Sequence, residues 1–308
     1  MSDLKLFRVS SDQVTQLSGG AVALEKSLQH TFEHHLEALL GVRFLASEFV
    51  TEGGRMDTLG IDENNSPVII EYKRSTNENV INQGLFYLNW LMSHQADFKW
   101  LVMERLGKDV ADKVDWSGPR LICIAGDFTR YDEHAVRQMN RNIDLIRYRK
   151  YEDGLLLLEQ LTSTTAGSNG QAPAISATPP SGGGQWVKGK YTTVTDNMEK
   201  ASPELRALYE QLKAYLTAQG DDVIVKTTEY YIAFRRMRNY VTVEFRSQAN
   251  KLLVYARVDP KSVELQSGFS RDMTKIGHFG TGDLEITLSG PADLEKAKPL
   301  LDRAYNEG

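Results

Sequence analysis

One cysteine, Cys123, stands in a chain of 308 residues. No internal disulfide and no cysteine-based zinc site can form, which excludes disulfide-stapled and zinc-ribbon scaffolds. Long apolar runs are also missing. Nothing approaches the roughly 18 consecutive apolar residues of a membrane span, and the opening MSDLKLFRVSSDQ lacks the apolar core of a signal peptide. These absences point to a cytoplasmic protein without a membrane partner. An excess of positive charge is missing too. A net charge of -5 provides no global attraction to nucleic acid, so any DNA-binding surface has to be a local basic patch.

What is present has the balance of ordinary globular protein, with 41% hydrophobic and 25% charged residues in a length that suits two domains. The stretch TSTTAGSNGQAPAISATPPSGGG, residues 162–184, is small, polar and rich in Gly, Ser and Pro, the composition of a flexible tether. It implies a domain over 1–161, a linker over 162–185 and a second domain over 186–308.

In the first part, ALEKSLQHTFEHHLEALLG repeats Leu24, Leu28, Phe32, Leu36, Leu39 and Leu40 at helical spacing and ends at Gly41. Short strands are expected over 42–49, 56–62 and 68–73, the last two joined by the turn residues ENNSP. A helix over 78–94 follows, then a strand over 100–104 and a strongly apolar strand in PRLICIAGDF. A helix over 132–140 comes next. Two strands then meet at Asp153-Gly154, a favoured hairpin turn. The second part starts with a helix that has Ser202 as N-cap, Pro203 in its first turn and Gly220 at its end. Several strands and a last helix complete an α+β pattern.

The stretch GGRMDTLGIDENNSPVIIEYKRS, residues 53–75, places charge inside a hairpin that should be buried. Alternation in the strand over 68–73 puts Val68, Ile70 and Tyr72 on one face and Ile69, Glu71 and Lys73 on the other. Asp57, on the preceding strand, can reach the same place. Two carboxylates held close repel each other unless a cation lies between them. Hard oxygen donors in small number suit Mg²⁺ or Mn²⁺, and a neighbouring lysine can orient an attacking water. Metal-assisted phosphodiester hydrolysis needs such a set.

Asp57 followed by Glu71-Tyr72-Lys73 at the end of a hydrophobic strand resembles the PD-(D/E)XK nuclease motif. The wider string GRMDTLGID…PVIIEYKR is similar to nuclease domains akin to the mismatch- and branch-cutting endonucleases of that superfamily. The resemblance covers roughly residues 20–160. It implies an α/β (α+β) restriction-endonuclease-like core, a mixed sheet flanked by helices, with a smaller α+β domain behind it. It also implies that Asp57, Glu71 and the main-chain carbonyl of Tyr72 hold the metal and that Lys73 assists the nucleophile. Met56 stands where the family name has proline. Gln83 and Tyr87, four apart on one helix face, resemble a Gln-x-x-x-Tyr motif placed beside the active site in several such nucleases. An acidic residue of the first helix often joins the site, with Glu25 and Glu33 the candidates here. The run IGHFGTGDLEITLSGPADLEKAKPLLDRAY resembles a domain often found behind such nucleases.

Two basic clusters are candidates for DNA contact: Arg137 with Arg141 on one helix face, and Arg235 with Arg236 after Tyr230, Tyr231 and Phe234. The sequence HTFEH, residues 30–34, matches a short zinc-peptidase pattern, but no third ligand accompanies it. The expectation is therefore a Mg²⁺- or Mn²⁺-dependent DNA endonuclease in DNA repair or in restriction and anti-phage defence. A homodimer would supply the two active sites that a double-strand cut requires. The rival expectation is a catalytically silent nuclease fold that only binds DNA or a protein.

Overall fold

The computed structural model describes residues 5–11, 13–20, 25–73, 80–166 and 192–308. The chain divides into two compact units, 1–173 and 174–308. Most of the expected linker, from 167 onward, lies outside the described residues. Its first residues belong to the fold instead: Thr162 and Ser163 are in a strand, and Thr164 donates to the main-chain oxygen of Arg141 at 2.8 Å. Among the described residues no helix is long and apolar enough to cross a membrane.

The first unit is a mixed sheet flanked by helices. A hairpin of β1 (Leu6–Val9) and β2 (Val14–Leu17) forms a separate two-stranded sheet. Then come β3 (Gly19–Gly20), α1 (Glu25–His34), α2 (Leu36–Leu40), β4 (Val42–Thr51), β5 (Gly54–Asp62) and β6 (Pro67–Lys73). They are followed by α3 (Val80–Ser93), α4 (Gln95–Leu106), α5 (Lys108–Ala111), β7 (Arg120–Ala125), α6 (Arg130–Gln138), β8 (Asn142–Tyr151) and β9 (Leu156–Ser163). The strand order is β3-β8-β7-β6-β5-β4, with β9 also paired to β8. The β4, β5 and β6 meander is antiparallel, whereas β6, β7 and β8 run parallel. Parallel strands need covered crossovers, and α3 to α5 and α6 provide them. Leu59, Ile69, Leu121 and Cys123 pack with Leu88, Leu91, Phe98 and Val102 in one core. On the opposite face Tyr72 meets Phe32 of α1, with ring centroids 5.6 Å apart.

Three expectations change here. The strand expected over 100–104 is part of α4, because Phe98, Leu101 and Val102 bury one helical face while Trp100 stays exposed. A short apolar run has no period of its own, and its neighbours decide. The first helix breaks at His35 (φ -126°), so α1 and α2 are separate. Helix α6 starts at Arg130 rather than at 132, because Thr129 and Asp132 form a reciprocal capping box. The hairpin turn forms where expected, with left-handed Asp153 (φ 59°) and Gly154 (φ 75°) between β8 and β9.

The second unit contains α7 (Val194–Lys200), α8 (Pro203–Thr217), β10 (Ile224–Thr227), β11 (Ile232–Arg235), β12 (Asn239–Arg246), β13 (Lys251–Ala256), β14 (Ser270–Asp272), β15 (Leu284–Leu288) and α9 (Pro291–Glu307). Its sheet is antiparallel throughout, in the order β10-β11-β12-β13-β15-β14. Ser202 caps α8 by accepting from the N–H of Leu205. One sheet face, with Val243, Val254 and Ile286, packs on Leu208, Leu212 and Leu301 of the helices. Alternation sends Thr242, Glu244, Tyr255 and Glu285 to the other face.

Candidate active site

Backbone pairing between β5 and β6 runs from Ile61 opposite Pro67 to Thr58 opposite Ile70 and stops there. Both strands continue past that point. Asp57 and Glu71 are the first residues beyond the last pair, where the strands splay. The side chain of Asp57 replaces the lost ladder partner: its Oδ2 accepts the N–H of Tyr72 at 2.9 Å. The N–H of Asp57 in turn donates to Oε1 of Glu71 at 3.2 Å. A strand residue turns its N–H and C=O to the same side, so the carbonyl of Tyr72 also lies on the side of Asp57. The three metal-site atoms that the family resemblance implies thus come from the end of one broken ladder.

Glu71 has no exposed surface, and its Oε2 has no hydrogen-bond partner among the described residues. Burial and then the neighbouring charge of Asp57 push its carboxyl up to about 8, with Glu48 adding to the rise, against the opposing pull of the Asp57 N–H and Lys73. The phenol of Tyr72 is also raised, chiefly by burial.

An open cleft of about 680 Å³ exposes this edge. Asp57, Tyr72, Lys73, Gln83 and Tyr87 line it, whereas Glu71 is buried next to Asp57 and is not one of the lining residues. Tyr87 Oη accepts the N–H of Arg55 at 3.0 Å and lies 3.3 Å from Gln83 Nε2. A Cβ on Gly54 would come within 2.6 Å of that hydroxyl, so a bare glycine at φ 148° lets the β5 entry close on α3.

Of the two acids expected from the first helix, Glu33 accepts from Thr58 Oγ1 at 2.6 Å and from Gln29 Nε2 at 3.0 Å, and is not part of the cleft wall. The side chain of Glu25 lies outside the described residues. The acid found in the cleft is Glu48, which sequence reading passed over. In the β4–β5 register Ser47 faces Thr58 and Phe49 faces Met56, which sets Glu48 opposite Asp57. Glu48 takes a left-handed φ of 54° and pairs with Arg55. Gln29 was also missed; its amide reaches the main-chain oxygen of Asp57 at 2.8 Å. No signal marked either, since one glutamate in a strand and one glutamine in a helix read as solvated positions.

The donor chemistry fits a hard divalent cation: a buried carboxylate oxygen without a partner beside a second carboxylate and a main-chain carbonyl. Among the described residues no three His, Cys, Asp or Glu side chains are grouped as a metal cluster. The histidine pair is engaged locally, with His34 Nδ1 2.9 Å from the main-chain oxygen of His30.

The basic clusters change more. Arg137 is exposed and pairs with Glu133 on α6, but Arg141 lies beyond the end of that helix, after an extended Met139 (ψ 129°). They do not share a helix face. Arg235 is only 5% exposed, so it is not presented to a duplex as expected. Tyr231 and Phe234 turn inward as well. Arg236 pairs with Asp222 at 2.7 Å and stacks over the ring of Tyr305, which ties it into its own unit.

The second unit is similar to a domain of unknown function (DUF5655), which matches residues 194–307. A protein of Haemophilus influenzae, described only as uncharacterized, is 28% identical over 99% of this chain and 100% of its own length. Among solved structures, a repair endonuclease from Pyrococcus abyssi is 17% identical, over 40% of this chain and 46% of that one, with a TM-score of 0.26. An EndoMS–double-stranded DNA complex gives 17%, 41%, 46% and 0.25. Pyrococcus furiosus SfsA in complex with Ca²⁺ gives 14%, 52%, 75% and 0.27. The chain spans less than half the length of the two endonuclease chains. At these TM-scores the likenesses carry no functional weight.

Proposed function

We propose that the first unit is a divalent-metal-dependent nuclease that hydrolyses phosphodiester bonds of DNA. The observation that supports this reading is the meeting of Asp57 and Glu71 at the β5–β6 splay, with Glu71 Oε2 buried and unpartnered among the described residues. Asp57, Glu71 and the Tyr72 carbonyl would hold Mg²⁺ or Mn²⁺, which would supply charge neutralisation at the phosphate and a more acidic bound water. Lys73 lines the same cleft. Its ammonium group would position the attacking water and face the charge that develops on the phosphate oxygens. Tyr87 holds the β5 entry by accepting the Arg55 N–H, and Gln83 donates to the same hydroxyl. In this reading DNA is the partner, a homodimer would bring two clefts to one duplex, and repair or anti-phage defence is the setting.

The test is cleavage of supercoiled, linear and single-stranded DNA with Mg²⁺, Mn²⁺ or EDTA, for the wild type, Glu71→Gln and Lys73→Ala. Cutting that needs metal and falls at least about 100-fold in both variants is expected. Binding of DNA without cutting under every metal condition would instead favour a silent binding module.

A further inference from the structure

We infer that the second unit carries its own binding site, in a cleft between the end of β12 and α7, for a nucleobase bearing an exocyclic amino group. This inference does not depend on the nuclease reading of the first unit.

Helices α7, α8 and α9 all contribute to one core, against Val243, Phe245 and Val254. Beside α7, at the end of β12, a cleft of about 330 Å³ opens, lined on the helix side by Thr192 and Asn197, enough for one nucleotide and too small for a duplex. Glu244, the stacked rings of Tyr230 and Phe279, and Arg246, Ser247 and Gln248 also line it.

Glu244 decides the chemistry. It is 3% exposed, and its Oε2 is paired with Arg246 at 2.7 Å. Its Oε1 is buried and has no hydrogen-bond partner among the described residues. A buried acceptor left unmet is unfavourable, and a ligand N–H would satisfy it. Burial raises the Glu244 carboxyl, against the pull of Arg246, His278 and the main-chain N–H of Phe279. Because Arg246 already balances its charge, the site suits a neutral donor rather than a second cation.

The two rings specify a flat partner. Tyr230 and Phe279 are stacked, with centroids 4.5 Å apart and planes within 22°, and such rings offer a face to a planar heterocycle. Arg246 is half exposed and has further N–H donors beyond the nitrogen bound to Glu244, which suits an adjoining phosphate. An acidic acceptor, an aromatic pair and a guanidinium together match an amino-bearing base on its phosphate, since a carboxylate accepts from such an amino group. Thymine has no exocyclic amino group, and its single N3–H is flanked by two carbonyl oxygens that a carboxylate repels. The base can come from an unpaired position in a strand or from a free nucleotide.

The test uses the full chain in EDTA, so no metal chemistry contributes. Fluorescence anisotropy with labelled oligo(dC), oligo(dA) and oligo(dT) at fixed salt reads the preference, with dCMP as competitor. Oligo(dC) and oligo(dA) should bind about tenfold more tightly than oligo(dT). Glu244→Gln, whose amide can donate as well as accept, should level that difference. Phe279→Leu should weaken all three strands about tenfold or less. Thermal unfolding of each variant confirms folding. Displacement by dCMP would assign the site to a free nucleotide, and failure of dCMP to compete would assign it to a strand. Equal affinity of the wild type for all three strands would overturn the inference, as would a preference that survives in folded Glu244→Gln. A chain that shows the preference but never cuts DNA would sink the nuclease reading and leave this one standing.

Discussion

The N–H of Asp57 points at Oε1 of Glu71 across 3.2 Å, while the other oxygen of Glu71 is buried and unpartnered among the described residues. That pair is a charge problem built into the fold.

The pH dependence follows from it. The carboxyl of Glu71 rises from an ordinary 4.5 to about 8, so between these values the folded chain holds a proton that the unfolded chain has released. Stability without metal should therefore fall as pH rises through that window, by on the order of a few kcal/mol. Urea unfolding from pH 5 to pH 8.5 in EDTA should show the slope, and Glu71→Gln should flatten it. Mn²⁺ should restore stability to the wild type more at pH 8.5 than at pH 6, because the cation needs the ionised carboxylate.

Glu48 sits at φ 54°, a left-handed position costly for a side chain with a Cβ. In ordinary strands alanine is better than glycine by about 0.5–1 kcal/mol. At position 48 the order should reverse, with Glu48→Gly more stable than Glu48→Ala by about 1 kcal/mol. Both should lose cleavage activity, since both remove an acid from the cleft wall. Alanine proving the more stable of the two would show that position 48 is not strained.

Tyr87→Phe deletes the acceptor of the Arg55 N–H and of Gln83. The expected loss is about 1 kcal/mol in chemical denaturation. Cleavage should drop by roughly tenfold or less, as befits a group that positions the β5 entry without touching the phosphate. A fall as deep as that of Lys73→Ala would place Tyr87 among the catalytic residues instead.

Arg120 is 4% exposed and spans Asp62 at 3.3 Å and Asp144 on the next parallel strand. Arg120→Met fills the space but strands two buried carboxylates, and a loss of about 3–5 kcal/mol is expected in urea unfolding. A change below about 1 kcal/mol would mean that water reaches these acids.

Residues 53–75 carried the site because strand alternation and a short turn are local. They set Glu71 and Lys73 on one face and left Asp57 within reach before any tertiary contact was known. The hairpin at Asp153-Gly154 and the cap at Ser202 were readable for the same reason, since each is decided within a few residues. Other features depend on partners distant in sequence. The run WLVM near residue 100 is helical because Phe98 and Val102 found a shared core, not because of its own pattern. Arg235 looked like a surface charge and is buried. Glu48 enters the cleft through its register with β5, and Glu244 lines its cleft with residues from 192 to 279. The sequence by itself determined which groups could do chemistry. Only the tertiary structure decided which of them lost their water and their partners, because desolvation depends on what packs around a group rather than on what precedes it.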